Sequence, residues 1–111
     1  MANSRVARGR KTQTIIADWF RAHGYPNAKA IEAFLPGADI TGVDGLSIEV
    51  KATSRGDLLA ALKQATANRT EGCQTPVVVW RPNGYGETRT GEWVVALTLK
   101  DFTQLLNERK P

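Results

Sequence analysis

A single cysteine, Cys73, and a single histidine, His23, stand in this chain of 111 residues. One cysteine excludes an internal disulfide and any multi-cysteine zinc site, and one histidine excludes a His-rich metal centre. Aromatic residues make up only 7%. No apolar run approaches the ~20 residues that a membrane-spanning helix needs. The polar, basic start "MANSRVARGRK" has no apolar core of the kind a secretory signal carries. These absences lead us to expect a single domain over residues 1–111, with residues 1–8 as a flexible basic arm, no membrane partner and a reduced, cytoplasmic setting.

What is present is an ordinary globular balance of 41% hydrophobic and 23% charged residues, with a basic excess. Fifteen Lys and Arg against eleven Asp and Glu give a formal charge of +4 and a pI of about 9.6, a mild lean toward a polyanionic partner. The lean is uneven, because Arg5, Arg8, Arg10 and Lys11 all precede the first acid, Asp18. A solvated basic start and a phosphate-gripping cluster both account for this, and Arg55 is the next candidate for a phosphate contact.

Periodicity supplies the elements. Ile15, Ile16, Trp19 and Phe20 recur at helical spacing before Gly24, predicting a helix over roughly 8–23. Residues 27–34 are a weak strand candidate, and strands are expected near 38–42 and 46–52. Ser54 or Asp57 caps a second helix, "LLAALKQATANR". "PVVVW" reads as a buried strand, "RPNGYGETRTG" as turn, and "EWVVALT" as a further strand. Leu99, Phe102, Leu105 and Leu106 mark a closing helix, with Thr98 and Asp101 as its capping box. The order is α-β-β-β-α-β-β-α, a mixed central sheet flanked by helices.

The segment "PGADITGVDGLSIEVKAT" carries the chemistry. On its second strand Leu46, Ile48, Val50 and Ala52 alternate with Ser47, Glu49 and Lys51. A three-residue loop, Val43-Asp44-Gly45, pairs Gly42 with Leu46 and so sets Asp39 across from Glu49. Gly45 supplies the left-handed residue that such a loop ends on. A loop one residue longer or shorter throws the two carboxylates onto opposite faces. Like charges this close repel unless neutralised, and a hard divalent cation would do so, with the Val50 carbonyl as a further oxygen ligand. An exposed polar face on which Lys51 partly balances both acids explains the same pattern, and spacing alone does not separate the two.

Taken together, these residues resemble the PD-(D/E)XK nuclease superfamily, and within it the archaeal-type Holliday junction resolvases. "GYPN" follows the first helix, "GADI" stands where those proteins have a proline-aspartate motif, "IEVKAT" matches their next strand, and Gln64 falls in the second helix. The likeness spans roughly residues 8–82. It implies a restriction-endonuclease-like αβββαβ core and a magnesium-dependent endonuclease, with manganese able to substitute. The implied substrate is branched DNA, cut by a homodimer. Asp39 and Glu49 become metal ligands, Lys51 the catalytic lysine and Gln64 a helper that positions water or phosphate. Related activities on flaps, nicks or DNA ends keep the same chemistry, as does the fold of a nucleic-acid-binding protein that has lost cleavage. Two positions depart from the pattern. Ala38 replaces the proline, and Gln13 stands where a glutamate usually completes the metal site. Gln13 shares a helical face with Ile16, Ala17 and Phe20 and so is expected to point inward, bringing an amide but no charge.

Other residues carry weaker signals. Tyr85, with Arg81 and Arg89, suits a base-and-phosphate contact, although hairpin-tip solubility explains the same residues. Trp19, Trp80 and Trp93 are expected in the core. His23 suits a helix C-terminus by its dipole, and Cys73 has no histidine nearby in sequence to activate it.

Overall fold

The computed structural model describes residues 4–32, 35–52 and 57–109. The chain runs α1 (Ser4–Ala22), β1 (Lys29–Ala30), β2 (Ile40–Thr41), β3 (Leu46–Lys51), α2 (Leu58–Ala67), β4 (Thr75–Trp80), β5 (Val94–Ala96) and α3 (Leu99–Glu108). The expected order of elements holds. A 3₁₀ helix, Glu87–Glu92, occupies part of the segment expected as plain turn, and its side chains are exposed or half-buried. Among the described residues no helix is long and apolar enough to cross a membrane.

The five strands form one sheet in the order β1-β2-β3-β4-β5. Only β3 and β4 are parallel, running from Leu46↔Thr75 to Lys51↔Trp80, and the connection between them is α2. The fold is therefore α/β with a mixed sheet. Ile16 and Ala17 of α1 pack with Ile40, Ile48, Val79 and Trp93 in one core cluster. On the other face α2 buries Ala61 and Ala65, and the Ser47 hydroxyl donates to the Ala65 carbonyl at 2.7 Å. Two covered faces explain why β4 reads "VVV" without alternation: Val77, Val78 and Val79 are all buried.

Two expectations change. The helix starts at Ser4, so residues 4–8 are the first turns of α1 rather than a flexible arm; Arg and Ala are strong helix formers and no proline interrupts them. Residues 1–3, and Ser54 as a helix cap, lie outside the described residues. Asp57, the other expected cap, does cap the helix, its side chain accepting from the Ala60 N–H at 2.9 Å. Trp19 is 40% exposed, its ring lying against Gly91 and stacked on His23, because the buried stripe of α1 runs through Thr12, Ile16 and Ala17.

The closing helix has its expected cap, with the Thr98 hydroxyl accepting from the Asp101 N–H at 3.1 Å. Its apolar stripe is another matter. No residue of α3 is buried, and Leu99, Phe102 and Leu106 are exposed alongside Val94 and Val95 of the edge strand β5. The helix forms as its periodicity predicts but leaves that stripe uncovered.

The connection from β2 to β3 opens on a glycine that nothing larger can replace. Gly42 has φ +83°, and a Cβ there would come within 2.0 Å of the Asn27 carbonyl oxygen. Gly42→Ala is expected to destabilise the protein by on the order of 3 kcal/mol, because both the backbone conformation and the backbone contact reject a side chain. Urea unfolding checks this: a lower midpoint at unchanged slope is the expected result.

Candidate functional site

The β2–β3 hairpin places the two acids. Ile40 pairs with Ile48, so one step back along β2 and one step forward along the antiparallel β3 Asp39 faces Glu49. The loop between them is closed by the Leu46 N–H donating to the Val43 carbonyl at 3.1 Å, with Gly45 at φ +83°. This is the three-residue loop that the register requires, and it brings the carboxylates together. The outcome was not bound to follow, since a single inserted residue reverses it.

Asp39 is fixed by the chain it faces. Its Oδ2 accepts from the Val50 N–H at 2.8 Å, and its own N–H donates to the Ile48 carbonyl at 2.9 Å. Ile48 and Val50 thus present their backbone groups to β2, whereas Lys51 presents its carbonyl to the Arg81 N–H at 2.8 Å on the β4 side. By that alternation the Val50 carbonyl turns toward the Asp39 edge.

Glu49 is the strained member of the pair. Its Oε1 is buried with no hydrogen-bond partner among the described residues. Burial first, and the Asp39 carboxylate second, push its pKa up to about 7, against the opposing charge of Lys51. Asp39 is also raised by burial, while the Val50 N–H, the hydrogen bond with Glu49 and the Lys51 charge pull the other way. Near neutral pH and without a cation, a proton shared between the two carboxyls relieves the repulsion. A divalent cation relieves it too, and gives the orphaned oxygen a partner. Magnesium is commonly held by one or two carboxylates with the remaining positions filled by water and substrate phosphate, so these donors suit it. Among the described residues no group of three or more His, Cys, Asp or Glu side chains is placed to hold a metal.

Glu49, Lys51 and Ser47 share the strand face that α2 covers, and Ser47 is fully buried there. The polar stripe of β3 therefore does not face open water. Ser47 was not singled out from sequence, although its place two residues before Glu49 on the polar stripe was the available signal.

Among the described residues neither candidate glutamine hydrogen-bonds the pair. Gln64 is exposed on α2, whose buried positions are Ala61 and Ala65, and its side chain makes no hydrogen bond among the described residues. Gln13 is half-buried on α1, which packs on the opposite sheet face from Glu49, and it too makes no side-chain hydrogen bond. The polar residue that α1 does bury is Thr12, whose hydroxyl accepts from Arg81 Nη1 at 3.1 Å. Helical spacing from Ile16 could have identified Thr12 as inward-facing.

The basic residues divide in a similar way. Arg5 lies in the first turn of α1, where no acidic residue is present, and Arg8, Arg10 and Lys11 are partly or fully exposed on the next turns. Arg8 and Lys11 line an open groove of about 540 Å³ together with Arg81, Asn83 and Tyr85. Arg55 lies outside the described residues. Arg89 stands 3.9 Å from the Tyr85 ring and pairs with Glu92 at 3.0 Å, so its charge is already matched. Tyr85 itself packs against the core. Comparison with protein-family models, curated proteins and solved structures finds no match to this chain, so the reading of the site rests on its own residues.

Proposed function

We propose that the protein is a magnesium-dependent, structure-selective DNA endonuclease with a restriction-endonuclease-like αβββαβ core, most similar in its motifs to the Holliday junction resolvases of the PD-(D/E)XK superfamily. The observation that carries this reading is the facing pair Asp39 and Glu49, with a buried Glu49 oxygen that lacks a partner and with Lys51 next on the same strand face. Asp39, Glu49 and the Val50 carbonyl would hold the ion, and manganese is expected to substitute for it. A bound magnesium supplies positive charge that polarises a phosphodiester and acidifies water. Lys51 orients the attacking water or neutralises charge developing on the phosphate. The carboxylate pair must be deprotonated to hold the ion, so magnesium affinity is expected to rise with pH as Glu49, whose metal-free pKa is pushed up to about 7, loses its proton.

Incubating the purified protein with a synthetic four-way junction, a flap, a nicked duplex and an intact duplex, each with and without magnesium, tests the reading. Magnesium-dependent cutting that favours the junction is the expected result. A second reading is favoured by Gln13 and by the lack of a third acidic ligand among the described residues. In that reading the chain keeps the fold and binds nucleic acid without cutting it. Binding of all four substrates with no cleavage in magnesium or manganese would select it.

The proposal includes a homodimer, because a symmetric junction needs two paired cuts. The uncovered stripe of α3 suits a second copy of the chain. A two-fold axis perpendicular to α3 would pack two such helices antiparallel and set Lys100 at one end opposite Glu108 at the other. Phe102→Asp is therefore expected to convert a dimer to a monomer in sedimentation velocity, while the far-ultraviolet circular dichroism stays unchanged. A wild-type monomer at tens of micromolar would sink this part of the proposal.

A further inference from the structure

We infer that Arg81 is a pre-positioned phosphate anchor, and that the groove it forms with Arg8 and Lys11 binds the phosphodiester backbone of the DNA strand beside the candidate site. The inference rests on the proposed function for the identity of the strand, and on separate residues for the contact.

Among the described residues Arg81 is held in place without a counter-charge. Its Nε donates to the Tyr85 carbonyl at 3.1 Å, its Nη1 donates to the Thr12 hydroxyl at 3.1 Å, and its guanidinium lies 4.9 Å from the centre of the Trp93 ring. Every one of these partners is neutral. The ion pairs among the described residues are Arg21–Asp18 and Arg89–Glu92, neither of which involves Arg81, Arg8 or Lys11. A half-buried guanidinium fixed by neutral acceptors keeps its full charge and has lost its conformational freedom in advance. Both features favour a bidentate contact to an incoming phosphate.

The surroundings point the same way. The groove is lined by Arg8, Lys11 and Arg81 with no acidic residue, and Asn83 and the backbone around Gly84 add neutral polar groups. Arg8 sits near the start of α1, whose first turn holds no acidic residue and where the helix dipole favours anions. Position relates this groove to the carboxylates. Lys51 ends β3 and Arg81 follows directly on β4, with their backbones joined by the Arg81 N–H to Lys51 carbonyl bond. Arg81 turns toward α1 and Lys51 toward the α2 face, so the two cations flank the same end of the sheet. This is the carboxyl end of the two parallel strands, where open α/β sheets bind their ligands. A DNA backbone lying in the groove reaches the carboxylate pair by crossing that end.

Binding measured without turnover separates this inference from the nuclease reading. Fluorescence anisotropy of a labelled single strand, duplex and four-way junction, and of RNA of the same sequence, is followed in EDTA across a salt series. Arg81→Gln is expected to weaken DNA binding about tenfold and to lower the salt slope by about 0.9 on duplex or 0.7 on single strands. Arg81→Lys is expected to restore the slope but only part of the affinity, since an ammonium cannot keep both neutral contacts and a bidentate phosphate. Arg89→Gln, already paired to Glu92, is expected to leave binding unchanged. Because Arg81 also braces Thr12 and the Tyr85 loop, the exposed pair Arg8→Gln and Lys11→Gln provides an independent arm, with an expected loss of up to about two phosphates' worth of slope. An unaltered slope in both the Arg81→Gln and the double variant would overturn the groove, as would equal losses from Arg81→Gln and Arg89→Gln. Tighter binding of RNA than of DNA would overturn the choice of strand. DNA binding through the groove without cleavage in magnesium would leave the anchor standing and remove the nuclease reading.

Discussion

Lys51→Ala is expected to lower the cleavage rate at saturating DNA by about 10²–10³-fold while leaving DNA affinity within about twofold. The asymmetry follows from position. Lys51 shares a strand face with Glu49 and opposes the raised pKa values of both carboxyls, so its charge acts at the pair. The groove cations Arg8, Lys11 and Arg81 line a separate surface and are the proposed phosphate contacts. Single-turnover kinetics with a four-way junction, set beside anisotropy in calcium or EDTA, separates the two quantities. Equal losses of rate and affinity would make Lys51 a phosphate contact, and unaltered cleavage would remove it from the mechanism.

A second substitution should stabilise the protein where it disables the site. In the metal-free wild type, Glu49 titrates near 7 instead of its ordinary 4.5, because burial and Asp39 disfavour its charge. An acid whose folded pKa is raised contributes fully below its unfolded pKa, and that contribution is lost as pH rises through the folded value. The metal-free protein is thus expected to lose stability between about pH 4.5 and 7 by on the order of 1–2 kcal/mol, after allowing for solvent screening of a half-exposed pair. Asp39, also raised, acts in the same direction.

Glu49→Gln removes the titrating group. At pH 8 without metal the variant is expected to melt above wild type, and its stability should be flatter across that pH window. Saturating magnesium at pH 8 reverses the order. Wild type gains about 2.7 kcal/mol at a hundred times Kd, and the variant gains little. At pH 5.5 magnesium is expected to stabilise neither protein much, because the ligands hold protons. Thermal melts at the two pH values, with and without magnesium, read all of this. A variant that melts below wild type at pH 8 without metal would show that the carboxylates do not repel. A magnesium response that survives in Glu49→Gln would place the ion elsewhere.

The sequence by itself determined the element order and the hairpin that carries the acids. Helical spacing of Ile16 and Phe20, the β-branched run of Val77 to Val79 and the alternation of Leu46 to Lys51 are local signals, and each element they mark is present. The facing of Asp39 and Glu49 was also legible, because Gly45 suits the end of a three-residue loop and that loop length sets the register. Local pattern could not say what covers each face. β3 reads as half-exposed, yet Ser47 is fully buried beneath α2, since a parallel β3–β4 pair needs a crossover helix and that helix must lie on one face. The spacing of α3 marks a helix with an apolar stripe but not that the stripe is exposed, because amphipathicity records an apolar face but not its partner. Only the tertiary structure decided that Glu49 Oε1 is buried without a partner, and that Arg81 and Thr12, 69 positions apart, meet. Burial and long-range contact are properties of how the elements stack, and that stacking is not written in the spacing along any one of them.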